Sequence, residues 1–213
     1  VRLLASLGAG FDCASLGEVQ QVLDLGVSPS RIIFAHPCKR PCDIRYAREH
    51  GVGLTTFDTE SELVKIANFF PGFKCVLRIR ADDPEARVPL GLKYGANPEE
   101  APKLLATAQR LGLDVVGVSF HVGSACKNLA AYSSAIEKAR EVGAGCCIAV
   151  GRMVVASVLP GACRFSPHCL LVLCLVNCIA GCLLLSSPAH SFLLSLKLTR
   201  AAVAASAAVH ADL

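Results

Sequence analysis

The sequence predicts an α/β fold: a partial β/α barrel of about five βα units. Three observations predict it. Five short apolar runs recur with little polar alternation, as expected of strands buried on both faces. Longer segments with helical spacing separate them. Polar residues collect at the C-terminal ends of the runs, where barrel active sites lie: Asp12 and Ser15, His36, Asp58, Arg78, then His121 and Ser124.

The runs are "GFDC" at 10–13, "RIIFA" at 31–35, "GLTTF" at 53–57, "CVLRI" at 75–79 and "VVGVSF" at 115–120. After the first run, Val19, Val22, Leu23 and Leu25 form an apolar stripe; after the third, Leu63, Ile66, Ala67 and Phe70 do the same. Ser15 precedes Glu18 by three, Thr59 precedes Glu62 by three and Asn97 precedes Glu100 by three. All three pairs fit a capping box, with Pro98 at a first helical position where its missing N–H costs nothing. Gly26, Gly51, Gly112 and Gly143 stand where four helices are expected to stop. Strands alternating with helices imply right-handed crossovers and a parallel sheet, which a doubly wound fold would also satisfy. "GAGFDCAS" lacks the third glycine of a dinucleotide loop, so the barrel is favoured, and five units are too few to close one.

Composition divides the chain. Residues 1–145 carry 33 of the 38 charged side chains, and the rest hold only Arg152, Arg164, Lys197, Arg200 and Asp212. Cysteine runs the other way, with five before residue 146 and seven from Cys146 onward. We therefore expect a folded domain over 1–145 and, over 146–213, a low-charge, apolar, cysteine-rich tail that is not native domain sequence. Residues 169–185 are apolar apart from Asn177, at the short limit for a membrane span, but lack a clear charged anchor on their far side, so a membrane role is not expected. A net charge of +4 with mixed signs excludes a nucleic-acid footprint. A start at Val1, with Met153 the only methionine, reads as a fragment, a processed product or an incomplete gene model. The absence of an export signal leads us to expect a reducing, cytoplasmic setting with free thiols. Cys38 and Cys42, like Cys174, Cys178 and Cys182, are four apart, but they lack knuckles and histidines at ligand spacing, so no metal is expected.

Several residues could carry chemistry. His121 ends the last strand, with Gly123 and Ser124 beyond; such a turn can offer amides and a hydroxyl to a phosphate, and the imidazole can stack on a flat ring. The plainer reading is a strand-end histidine bonded to backbone. Arg78, inside "VLRI", is an unusual place for a cation unless it is paired. Asp12 and Glu18 follow another strand, as catalytic groups or as parts of a structural ion network. The segment 80–96 has the length of a binding loop, from which Lys93 could reach a ligand.

"GFDCAS" with Glu18, "RIIFAHPCK", "TTFDTESEL", "VLRI", "LKYGA" and "DVVGVSFHVGS" occur in this order. Together they resemble the N-terminal barrel of eukaryotic ornithine decarboxylases, fold-type III pyridoxal-phosphate enzymes with an alanine-racemase-type barrel, over residues 1–142. The resemblance implies decarboxylation of L-ornithine to putrescine, in the cytoplasm, by a homodimer. It implies that His121 stacks on the pyridoxal ring and that Ser124, beside Gly123, binds the cofactor phosphate. Asp12, Glu18 and Arg78 would form a polar network near the reacting bond, and Lys93 would end a mobile loop over the site. His36 and Ala125 depart from the pattern, where asparagine and glycine are usual. The family's Schiff-base lysine has no counterpart in residues 1–213, so this chain is itself expected to be inactive. Two alternatives stay open: a non-catalytic relative, similar to the antizyme inhibitors, that binds an antizyme-type regulator; and a decarboxylase of lysine, arginine or diaminopimelate.

Overall fold

The computed structural model describes residues 1–81, 93–123, 129–145 and 171–173. Helix α1 (Arg2–Ser6) leads into β1 (Gly10–Cys13). There follow α2 (Leu16–Asp24), β2 (Ile32–Phe34), α3 (Pro41–Glu49), β3 (Leu54–Phe57), α4 (Glu60–Phe69), β4 (Lys74–Ile79), α5 (Ala101–Arg110), β5 (Val115–Phe120) and α6 (Leu129–Gly145). A short strand, β6 (Leu171–Leu173), comes last. The sheet order is β5-β4-β3-β2-β1-β6, with β1 to β5 parallel and β6 antiparallel to β1.

The five parallel strands lie in chain order, so every right-handed crossover steps the same way and puts its helix on the same face. The core shows the result. Val19 and Val22 of α2, Ile44 and Ala47 of α3, Leu63 and Ile66 of α4, Leu104 and Ala108 of α5, and Ala135, Ala139 and Val142 of α6 share one buried cluster. With them pack Phe11, Cys13, Phe34, Phe57, Leu77, Ile79, Val118 and Phe120, the alternate residues of the strands. The other strand face carries a separate small cluster around Ile33 and Val76, joined by Ala35, Leu54 and Val116. One helical layer outside and a different lining inside is the arrangement of a barrel segment, not of a doubly wound sheet.

Local signals act largely as expected. Ser15 Oγ accepts the Glu18 N–H at 3.3 Å and Thr59 Oγ1 the Glu62 N–H at 3.4 Å. The return halves of those two boxes differ from expectation. Glu18 Oε2 accepts from Ala14 N–H at 2.6 Å instead of Ser15 N–H. Glu62 turns inward, where its Oε1 lies 2.8 Å from Lys39 Nζ and its Oε2 2.5 Å from Lys65 Nζ. Lys39 Nζ also donates to the carbonyls of His36 and Thr56, both at 2.9 Å. Burial pulls the Lys39 pKa down against the pull of Glu62. Lys39 and Glu62 are buried but hydrogen-bonded on every side, and with half-buried Lys65 they tie the loop after β2 to the end of β3 and to α4. Asn97 N–H does receive its return bond, donating to Glu100 Oε2 at 3.1 Å, and Pro98 opens a 3-10 turn that runs into α5.

Gly26, Gly51 and Gly112 end their helices with φ of 77, 73 and 69°. Gly143 does not stop its helix: α6 continues through it to Gly145, because Ala139 and Val142 still pack on the core across that turn. Helix α1 escapes the sequence reading; it is held from outside by Arg31, whose Nη2 donates to Ala5 O at 2.9 Å and whose Nε donates to Ala9 O at 3.0 Å. Cys13, Cys38, Cys42 and Cys75 are free thiols; Cys126, Cys174, Cys178 and Cys182 lie outside the described residues. Among the described residues, no helix is long and apolar enough to cross a membrane.

Candidate functional site

Period-two alternation places the site. Phe11 and Cys13 point into the helix-packed core, so Asp12 between them faces the concave side. Leu77 and Ile79 do the same for Arg78, Val118 and Phe120 for Ser119, and Phe57 for Thr56. The parallel register sets Arg78 beside Ser119. One step beyond the strands stand Asp58 after β3 and His121 after β5. The C-terminal strand ends thus gather two acids, a cation, two hydroxyls and an imidazole on one face.

The imidazole is held by its own turn. His121 Nδ1 accepts the Gly123 N–H at 2.9 Å, which leaves the ring proton on Nε2 in the neutral form. Gly123 has φ of 107°, a conformation that side chains disfavour. Burial and the nearby Arg78 charge push His121 down to about 4, so the ring is neutral at neutral pH. His36, at the end of β2, is lowered too, by burial and then by Lys39 and Arg78.

Asp12 behaves in the opposite sense. Burial drives its carboxyl up to about 7, eased by Arg78 and aggravated by Glu18. Arg78 itself is lowered by burial, with Asp58 and Asp12 opposing, though a guanidinium stays charged throughout. Among the described residues no carboxylate comes within ion-pair distance of Arg78; its near neighbour is the Tyr94 ring, with the guanidinium carbon 5.2 Å from the centroid. Tyr94 also meets His36 edge-on at 5.6 Å. Thr56 Oγ1 and Ser119 Oγ are buried without a hydrogen-bond partner.

Of the residues expected from sequence, Asp12, Arg78, His121 and Gly123 come together. Glu18 sits at the rim, capping Ala14 and acting on Asp12 through its charge. Lys93 is exposed and makes no ion pair with the described residues, while its neighbour Tyr94 reaches the site. Ser124, Ala125 and the stretch 82–92 lie outside the described residues. Sequence reasoning gave Asp58 only a place at a strand end and missed Thr56, Ser119 and Tyr94. Alternation counted from Phe57 and Phe120 would have found the two hydroxyls; nothing local would have found Tyr94.

A strand-end site of this kind, with the helices of the described residues packed on the opposite face, lies where β/α barrels build their sites. Residues 1–151 match the family model described as the pyridoxal-binding domain of pyridoxal-dependent decarboxylases, and the chain belongs to that family. Among its relatives, an ornithine decarboxylase of Caenorhabditis elegans is 45% identical over 171 residues, covering 78% of this chain and 40% of the relative. Antizyme inhibitor 2 of Xenopus laevis is 49% identical over 142 residues, covering 67% and 31%. The crystal structure of the Paramecium bursaria Chlorella virus arginine decarboxylase bound to agmatine superposes with a TM-score of 0.67 at 44% identity, covering 73% of this chain and 42% of that one. Ornithine decarboxylase from Entamoeba histolytica gives a TM-score of 0.60 at 34% identity, covering 68% and 39%. The chain therefore spans about two fifths or less of these relatives.

The site's groups fit pyridoxal phosphate. A neutral imidazole offers a face to a heteroaromatic ring, two buried hydroxyls lack partners among the described residues, and Arg78 is a half-buried cation with no carboxylate at ion-pair distance among them.

Proposed function

We propose that this chain is the cofactor-binding part of an ornithine decarboxylase, which converts L-ornithine to putrescine and carbon dioxide. The observation that carries the reading is the neutral His121, fixed by the Gly123 turn, with Arg78 close enough to act on both it and Asp12 at the same strand ends. Bound pyridoxal phosphate supplies the electron sink that lets a carboxylate leave as carbon dioxide. His121 orients the ring by stacking. Gly123, with Ser124 next to it, would meet the phosphate. Asp12, titrating near 7, can hold or release a proton under working conditions. Arg78 sets the local charge, and burial, with a smaller push from Glu18, holds Asp12 high. Exposed Lys93 would meet a ligand only from the rim. The "FDCAS" wording favours ornithine over the arginine and lysine branches. The same reading carries the family dimer and the cytoplasmic setting with it.

A second reading has its own support. The 49% identity to an antizyme inhibitor suits a non-catalytic protein that binds an antizyme-type regulator.

Because the chain spans two fifths of its relatives, the test on it is binding. The protein has three tyrosines and no tryptophan, so tyrosine emission and cofactor absorbance can follow a pyridoxal-phosphate titration without interference. Saturable binding, perturbed by L-ornithine and weakened about tenfold by His121→Ala, is expected. No saturable binding would overturn the enzyme reading, and antizyme capture in that case would establish the second.

A further inference from the structure

Residues 94–96 fold back onto the end of β4. Ala96 pairs with Ile79 in an isolated parallel bridge, its N–H donating to Arg78 O at 2.9 Å and its carbonyl accepting Arg80 N–H at 2.8 Å. Gly95 turns its N–H the other way, to Oδ2 of Asp58 at 2.8 Å. Two strand ends, those of β3 and β4, therefore grip the same three residues from opposite sides. The fit leaves no space: with φ of 100°, a Cβ on Gly95 would stand 2.8 Å from Arg80 N and 2.9 Å from Arg80 Cα.

What this grip presents is Tyr94. Its ring meets His36 edge-on and lies against the half-buried Arg78 guanidinium on the concave face. Asp58 stands close enough to Arg78 for the two charges to act on each other, yet its Oδ2 is engaged by a backbone amide from 37 residues later. A carboxylate used this way builds geometry, since an ionised acceptor makes a shorter and stronger bond than a neutral one.

The geometry points to Asp58 as a positioning residue: by accepting the Gly95 N–H it seats Tyr94 against Arg78 and so sets where the guanidinium stands beside Asp12. The consequence for cofactor affinity rests on the pyridoxal-phosphate reading above; the seating itself does not.

The test uses the full chain labelled with 15N-glycine and 15N-arginine, first without cofactor. In Asp58→Ala, hydrogen exchange at the Gly95 amide should rise about tenfold or more, as for loss of a hydrogen bond to a charged group. The Arg78 Nε–H resonance should lose the ring-current shift that Tyr94 imposes. Asp58→Asn, which keeps a carbonyl acceptor, should restore both to within about threefold of wild type. Pyridoxal-phosphate affinity should then fall about tenfold in Asp58→Ala and recover in Asp58→Asn. If Asp58→Ala does not fold, Gly95→Ala breaks the same contact from the other side and must move the Arg78 resonance. Unchanged Gly95 exchange, or an unmoved Arg78 resonance in a folded variant, would overturn the assignment. Wild type that shows both signatures but binds no cofactor would instead sink the functional reading and leave the seating intact.

Discussion

Two buried charge clusters sit on adjacent strand ends, and they are built in opposite ways. In the first, Glu62 is 1% exposed and meets Lys39 and Lys65 directly, while backbone carbonyls take the remaining donors of Lys39. In the second, Asp12 is 7% exposed, Arg78 has no carboxylate at ion-pair distance among the described residues, and Thr56 and Ser119 hold hydroxyls with nothing to bond. The first cluster is complete within the chain and serves the fold. The second is incomplete, and groups left wanting partners in a buried place are what a ligand site requires.

The largest effect should come from breaking the complete cluster. Glu62→Ala leaves Lys39 buried and unpaired and should cost about 3–5 kcal/mol in urea unfolding. Replacing both partners, Lys39→Met with Glu62→Leu, should recover most of that loss, because apolar groups of similar volume need no pairing. A double variant as unstable as the single one would mean that the pair does more than satisfy itself.

The incomplete cluster should instead show in pH dependence. Burial raises Asp12 from 3.8 to about 7, so across that window the folded chain holds the extra proton and stability falls as pH rises. Burial lowers His121 from 6.5 to about 4, so there the unfolded chain holds the extra proton and stability rises with pH. The two slopes oppose each other and largely cancel between about pH 4 and 6.5. Asp12→Asn should unmask the rising limb and His121→Phe the falling one, each by a few kcal/mol across the window relative to wild type. Urea midpoints measured from pH 4 to 7.5 decide it, and two variants that track wild type would remove Asp12 and His121 from the comparison.

The smallest effect should be at the border between function and packing. Tyr94→Leu removes the ring over Arg78 and should cost about 1 kcal/mol in the same assay, the usual size of a cation–π contact near the surface.

Much of the fold was legible because burial on both faces and capping residues leave local marks. The runs around Phe11, Phe57 and Phe120 and the glycines at 26, 51 and 112 declared strands and helix ends without tertiary information. Asp12, Arg78 and His121 were legible for a related reason: a polar residue within or just beyond an apolar run stands out. Glu62 was misread because spacing alone cannot say whether a carboxylate turns back to its cap or inward to Lys39, 23 residues earlier. Gly143 was misread because packing of Ala139 and Val142 outweighs a glycine's cost in a helix of about 1 kcal/mol. Tyr94 and Asp58 were missed as a pair because only the folded chain brings residues 58 and 95 together.

The Arg31 clasp on α1 also bears on how the chain folds. Its contacts to Ala5 and Ala9 span 26 and 22 residues, closing the first βαβ unit into a ring whose closure entropy grows only slowly with length. The ring closes with β1 and β2 already paired, so the contacts that define this unit lie within the first 34 residues.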